Sequence, residues 1–250
     1  MTRAGRFLDD RMAFKRSLRS ALDLLFPPLC HQCRRAVSGD GRIHLCRECR
    51  GSCVRVGPPL CPSCGLSYPG GAIDHLCGSC TSDPPPFAAA RAALLYEGAV
   101  RTLIHRFKYG YQVRLRRPLG LLMAEEISLP GGSDLIIPVP LHVRRLRQRG
   151  FNQAVLLGEI LAQEWQLPME RTTLQRVRWT EPQTTLPAAA REANVRGAFA
   201  VARPIGLAGR RVLLVDDVYT TGSTVSECAR VLRHAGAAEV LVATVARTAI

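Results

Sequence analysis

The stretch Val212-Leu213-Leu214-Val215-Asp216-Asp217-Val218-Tyr219-Thr220-Thr221-Gly222-Ser223-Thr224 (VLLVDDVYTTGST) decides the fold of this chain. Four consecutive apolar residues, Val212 to Val215, suit a strand buried on both faces. Two carboxylates, Asp216 and Asp217, follow at its carboxyl end. Thr220, Thr221, Gly222, Ser223 and Thr224 then lead directly into a helical pattern over Ser223–His234. In open parallel sheets, ligands bind beyond the carboxyl ends of the strands. A loop of small hydroxyl residues bares several backbone N–H groups, and a helix N-terminus adds positive potential; together they suit a phosphate. Gly222 permits the tight turn. Adjacent carboxylates can accept hydrogen bonds from vicinal ribose hydroxyls or hold hydrated Mg²⁺. The plainer alternative is a capped strand–turn–helix with surface acids.

Around this core, apolar strands alternate with helices. Ala92–Tyr96, Leu135–Val139, Arg211–Val215 and Val240–Val245 read as strands. Val113–Glu126, with Pro118 a weakness inside it, Asn152–Trp165 and Ser223–His234 read as helices. The alternation predicts an α/β domain with a largely parallel sheet flanked by helices. Arg144, Arg145, Arg147 and Arg149 follow Ile137-Pro138-Val139-Pro140 as a basic loop. It can neutralise pyrophosphate through forked contacts, or be a solvated arginine run. Trp179–Asn194 is polar, holds two prolines and has no period, so it reads as a mobile loop that closes over the site. Gln183, Arg191 and Asn194 are its candidate contacts.

Eight of the ten cysteines form four Cys-x-x-Cys pairs. Cys30, Cys33, Cys46 and Cys49 recur 31 residues later as Cys61, Cys64, Cys77 and Cys80. Each unit is too short for an apolar core and needs a metal to fold. Tetrahedral zinc closed by four thiolates is the expected state, giving two structural ions with no position open for catalysis. Sequential pairing is the first choice; spacing leaves crossed pairing open. His31, His44 and His75 are bystanders once four thiolates serve each ion. Cys53 is left over, and Cys228 reads as a small buried apolar residue. A redox role is disfavoured because none of the pairs is expected to open a helix as in a thioredoxin-like fold. Thr81-Ser82-Asp83-Pro84-Pro85-Pro86 reads as a stiff linker. The expected layout is an N-terminal helix in residues 1–29, including an amphipathic segment Asp9–Phe26, a ribbon in 30–83 and an α/β domain in 84–250.

The chain has 250 residues, a net charge of +14 and 47% hydrophobic residues. That excludes a wholly disordered chain. No apolar run approaches the roughly 20 residues that span a bilayer, and the start lacks a secretory pattern, so a cytoplasmic protein is expected. Of the 34 basic residues only Lys15 and Lys108 are lysines. Two four-thiolate zinc sites lower the net charge to about +10, which still favours polyanionic partners such as phosphates or nucleic acid.

The Val212–Thr224 run resembles the signature of type I phosphoribosyltransferases, which bind phosphoribosyl pyrophosphate (PRPP). By that resemblance Asp216 and Asp217 face the ribose hydroxyls, Thr220 to Thr224 cradle the 5′-phosphate, and Mg²⁺ accompanies PRPP. From Pro27 to Thr248 the chain resembles the ComF family, which includes the GntX proteins: a cysteine-rich double zinc ribbon, then a phosphoribosyltransferase domain. The residues that carry this are HRFKYG (His105–Gly110), IPVP, RQRGFNQ (Arg147–Gln153), Pro182-Gln183-Thr184 and REANVRGAF (Arg191–Phe199). The resemblance implies a PRPP-binding protein with a role in DNA uptake, competence or DNA utilisation. It also sets Lys108 in a Lys-Tyr/Phe motif near the active face, where it contacts a phosphate or is an ordinary surface lysine. Arg144 and Arg149 join it as expected PRPP contacts. As an enzyme, such a protein would let a nitrogen nucleophile displace pyrophosphate; no segment specifies the acceptor. The rival reading is a non-catalytic module that binds a nucleotide or single-stranded DNA alongside DNA-uptake proteins. An aromatic content of 6% weighs against binding single strands by stacking.

Overall fold

The computed structural model describes residues 27–37, 42–68, 71–180, 188–203 and 206–249. The expected Asp9–Phe26 helix lies outside them. The cysteine-rich units come first. Cys46 caps α1 (Arg47–Gly51) and Cys77 caps α2 (Gly78–Ser82), each sulfur accepting the backbone N–H three residues on at 3.4 Å. Two of the four Cys-x-x-Cys pairs therefore open short helices, but not in a thioredoxin-like setting. These are knuckle turns of five residues rather than the long helix of a βαβ unit.

Next come β1 (Ala89–Leu95), α3 (Gly98–Tyr109), a 3₁₀ turn at Val113–Leu115 and α4 (Arg116–Glu126). They are followed by β2 (Leu135–Pro138), α5 (Val143–Arg149), α6 (Gln153–Trp165) and β3 (Leu174–Arg176). The last elements are α7 (Ala188–Val195), β4 (Phe199–Val201), β5 (Arg211–Tyr219), α8 (Ser223–His234) and β6 (Glu239–Arg247). Four strands form one parallel sheet in the order β1-β6-β5-β2. β3 and β4 pair antiparallel in a small separate sheet.

The apolar run of β5 is continuous because both of its faces are covered. Leu213 and Val215 enter a core shared with α3, α4 and α6, while Val212 and Leu214 enter a second core with β4 and α8. Each such fully buried side chain contributes about 1.5–3 kcal/mol. Helices α4 and α6 approach closely at Gly120, where a Cβ would press on the Ile160 side chain. Pro118 lies in the first turn of α4, where no intrahelical N–H donor is needed, so it does not break the helix.

Several boundaries differ from expectation. β5 does not end at Val215; pairing of Asp216 with Thr244 and Val218 with Ala246 carries it to Tyr219. The expected basic loop is helix α5, capped by His142 and ended by Gly150 at φ 77°. The expected loop over Trp179–Asn194 contains most of α7; residues 181–187 lie outside the described set. Helix α3 was not anticipated, although Val100, Leu103, Ile104 and Phe107 recur at helical spacing and are buried.

The first cysteine unit is built into the sheet domain. Cys30, Val37, Ile43, Leu45 and Cys53 share the core of α3 and α4. Arg50 pairs with Glu125 at 2.7 Å and Arg55 with Glu126 at 2.9 Å, both on α4. Backbone bonds from Val56 to Ala93 (3.1 Å) and from Leu95 to Val54 (2.8 Å) cover the edge of β1. Among the described residues no helix is long and apolar enough to cross a membrane.

Candidate functional site

The cysteines gather into two tetrads, Cys30/Cys33/Cys46/Cys49 and Cys61/Cys64/Cys77/Cys80, with the sulfurs of each within 4.8 Å of one another. The pairing is sequential, so the crossed alternative falls. The Cys33–Cys46 and Cys64–Cys77 sulfurs are each 3.7 Å apart. A tetrahedron with Zn–S bonds of about 2.3 Å has S···S edges of about 3.8 Å. Both tetrads therefore fit zinc, and neither includes His31, His44 or His75. All four cysteines of the second tetrad are buried, but only Cys30 in the first, where Cys33 is exposed. Burial raises the Cys61 thiol, yet N–H donors led by Cys77 and Cys64 outweigh it and hold the pKa down at about 6. A thiolate ready near neutrality favours metal capture.

The second feature is a cleft of about 600 Å³ beyond the carboxyl ends of β2 and β5, a size typical of small-molecule sites. β5 supplies Asp216 and Asp217, and α3 supplies Lys108. The turn into α8 supplies Thr220, Gly222, Ser223 and Thr224. Thr221 is not on the wall; its Oγ1 lies 2.8 Å from Ser223 Oγ and braces the turn. Gly222 has φ 80°, and a Cβ there would collide with the Tyr219 hydroxyl. The position therefore requires glycine on two counts.

The neighbouring aspartates serve opposite sides of the sheet. Asp217 Oδ1 meets Lys108 Nζ at 2.7 Å. Asp216 Oδ1 accepts the Asp217 N–H at 2.8 Å, and its charge is felt by Arg176 of β3 and Cys228 of α8. Burial, and then the Asp217 charge, push the Asp216 pKa up to about 7, against the pull of Lys108. Burial disfavours the Lys108 charge, but Asp217 and, behind it, Asp216 outweigh that and hold its pKa above the ordinary value. Cys228 is fully buried, and its thiol is pushed well up by that burial, so it is inert.

Among the described residues, two buried donors on the cleft wall have no hydrogen-bond partner: Gln153 Nε2 and Arg176 Nε. Gln153 is 2% exposed, and its Oε1 accepts from Arg149 at 2.8 Å. Buried orphan donors are rare in native proteins and suit a ligand rich in acceptor oxygens. Arg149 lies on the wall, with its guanidinium 5.1 Å from the Tyr109 ring. Arg144 does not line the cleft; its guanidinium lies 6.0 Å from Trp179. Because α5 is a helix, positions five apart project about 140° apart, and Arg145 takes the place expected for Arg144.

Sequence reasoning missed Gln153, Arg176 and the aromatic wall. Four of the five tyrosines (Tyr96, Tyr109, Tyr111, Tyr219) and Trp179 line this cleft. The low aromatic content concealed their concentration. The signal available was KYGY at Lys108–Tyr111, next to the scarce lysine.

The double zinc ribbon domain family matches residues 21–81, and the phosphoribosyl transferase domain family matches residues 152–249. The chain is 36% identical over 171 residues to the DNA utilization protein YhgH of Salmonella typhi, covering 66% of this chain and 74% of that protein. It is 38% identical over 155 residues to competence protein F of Haemophilus influenzae, covering 58% of this chain and 66% of that one. A solved glutamine phosphoribosylpyrophosphate (PRPP) amidotransferase from B. subtilis, complexed with ADP and GMP, is 26% identical. That match covers 54% of this chain and 26% of that one, with a TM-score of 0.37.

Proposed function

The chain belongs to the ComF family, in which a double zinc ribbon precedes a phosphoribosyltransferase domain, and on that premise we propose that its cleft binds PRPP, or a close phosphorylated-ribose relative, with Mg²⁺. One observation carries this reading: Asp216, Asp217, Lys108, the Gly222 turn and the orphan donors Gln153 and Arg176 converge on a single cleft. The N-terminus of α8 and the hydroxyls of Thr220, Ser223 and Thr224 take the 5′-phosphate. Asp216 faces the ribose hydroxyls, while Asp217 holds Lys108. Arg149 and Gln153 donate to the pyrophosphate. When bound, Mg²⁺ neutralises pyrophosphate charge, with Asp216 the carboxylate positioned to hold it through water, because Lys108 already occupies Asp217.

As a phosphoribosyltransferase, the protein would bring a nitrogen nucleophile to C1 of the ribose. The N–C1 bond forms as the C1–O bond breaks, pyrophosphate leaves with the bonding pair, and the proton shed by nitrogen passes to solvent. Such an oxocarbenium-like step needs positioning and charge stabilisation more than covalent help. The names of the relatives support a role in DNA uptake or utilisation. Eight thiolates suited to zinc favour a reducing, cytoplasmic setting. A second reading, non-catalytic binding of a nucleotide or single-stranded DNA, is favoured by the tyrosines and Trp179 on the cleft wall.

Equilibrium dialysis with PRPP and with a short single-stranded oligonucleotide separates the two readings. The enzyme reading expects Asp216→Ala to lose PRPP and keep any DNA affinity. Oligonucleotide binding that PRPP displaces, with no pyrophosphate released toward any acceptor, favours the module.

A further inference from the structure

Tyr219 stands between the second cysteine tetrad and the Thr220–Thr224 turn. Its ring packs against the cluster of Cys61, Cys64, Cys77 and Cys80. It meets the edge of Phe87, with centroids 6.4 Å apart at 85°. Its hydroxyl and the ring carbons next to it fill the space over Gly222 that a side chain would need. The turn thus rests on the phenol ring, and the ring rests on the tetrad.

Arg247 completes this unit. It pairs with Tyr219 in the β5–β6 register and is 3% exposed. Its guanidinium lies 5.3 Å from the Tyr219 ring centroid and donates to the Cys64 carbonyl at 2.8 Å. Its Nε is buried and has no hydrogen-bond partner among the described residues. Four thiolates around one Zn²⁺ keep about two negative charges. A buried guanidinium beside them supplies the counter-charge. The first tetrad packs instead with the core of α3 and α4.

We propose that the second cysteine tetrad is a working part of the phosphate site, with Tyr219 the positioning residue and Arg247 the buried cation that together carry the metal-bound shape of the tetrad to the turn. This rests on the reading of that turn as the 5′-phosphate cradle. Coupling of this kind is reciprocal: if zinc shapes the cradle, phosphate in the cradle must tighten zinc.

The test is equilibrium competition for zinc between the full chain and a chromophoric chelator, with and without saturating ribose 5-phosphate. One of the two zinc equivalents should tighten by about fivefold or more, the lower end of typical coupling, and the other should not change. Tyr219→Phe keeps the ring and should keep the effect. Tyr219→Leu should abolish it and weaken ribose 5-phosphate about tenfold, with both zinc ions still bound. Pyrophosphate alone should tighten neither equivalent. If calorimetry shows ribose 5-phosphate bound to the wild-type chain while neither equivalent tightens, or both tighten alike, the proposal is overturned. If ribose 5-phosphate does not bind at all, the assignment of the cradle fails, and the proposal with it. The wild-type measurement decides the matter even if Tyr219→Leu does not fold.

Discussion

Lys108 of α3 places its ammonium 2.7 Å from Oδ1 of Asp217 on β5, with side chains only 19% and 10% exposed. The scarce lysine of an arginine-rich chain is thus locked onto one of the two signature carboxylates. This leaves Asp216, its pKa pushed up to about 7 chiefly by burial, as a group that changes charge near neutrality. The two acids are adjacent in sequence but have different tasks: one anchors a cation supplied by the protein, and the other is available to a ligand.

Removing that cation should be felt in stability. Lys108→Met leaves the Asp217 carboxylate buried without its partner, and should lower unfolding free energy by about 3 kcal/mol. Asp217→Asn in the same chain should restore most of the loss. Urea unfolding of the two single variants and the double variant measures the coupling. A coupling below about 0.5 kcal/mol would show that the pair contributes nothing.

The raised Asp216 pKa sets a pH dependence with a definite sign. Its ordinary value is 3.8, so between about pH 4 and pH 7 the folded chain holds more proton on this group than the unfolded chain does. Its contribution to stability therefore falls as pH rises through that window and levels off above it. Mg²⁺-dependent PRPP affinity should move the other way, rising from pH 6 to pH 8 as the carboxylate ionises. Asp216→Asn should flatten that affinity profile. A wild-type affinity that is flat across this range argues against Asp216 as the Mg²⁺-facing carboxylate.

Metal analysis should find two zinc ions per chain. Cys33→Ser should lose one of them. It should also lower the unfolding temperature of the whole chain, because the first unit contributes Cys30, Ile43 and Leu45 to the main core. Cys61→Ser should lose the other. A Cys61→Ser protein that still binds two zinc ions would contradict the sequential tetrads.

At Gly222 the left-handed backbone and the Tyr219 hydroxyl act together. Gly222→Ala should cost about 1 kcal/mol in stability from its φ alone. It should also weaken ribose 5-phosphate binding tenfold or more by displacing the turn. Unchanged affinity in a folded Gly222→Ala chain would remove this turn from the site.

The sequence made the sheet legible where local pattern and burial agree. Val212 to Val215 and Ser223 to His234 needed only apolar runs and helical spacing, and eight cysteines in two identical spacings could hardly mean anything but two metal units. Polar residues hid the rest. Asp216 and Asp217 seemed to end β5, whereas pairing with β6 carries the strand past them to Tyr219. The arginines of α5 read as a loop because five of its seven residues are polar, and only the cap at His142 and the turn at Gly150 reveal the helix. Asp217 with Lys108, Tyr219 with the second tetrad, and Gln153 with Arg176 in one cleft are tertiary relationships. No spacing in the chain encodes them.

The central claim is most directly tested by calorimetric titration of the zinc-loaded chain with PRPP, with and without Mg²⁺, in wild type and in Asp216→Ala. Saturable binding that requires Mg²⁺ and disappears in Asp216→Ala is the predicted result. No binding at millimolar PRPP, or binding that Asp216→Ala leaves intact, would contradict it.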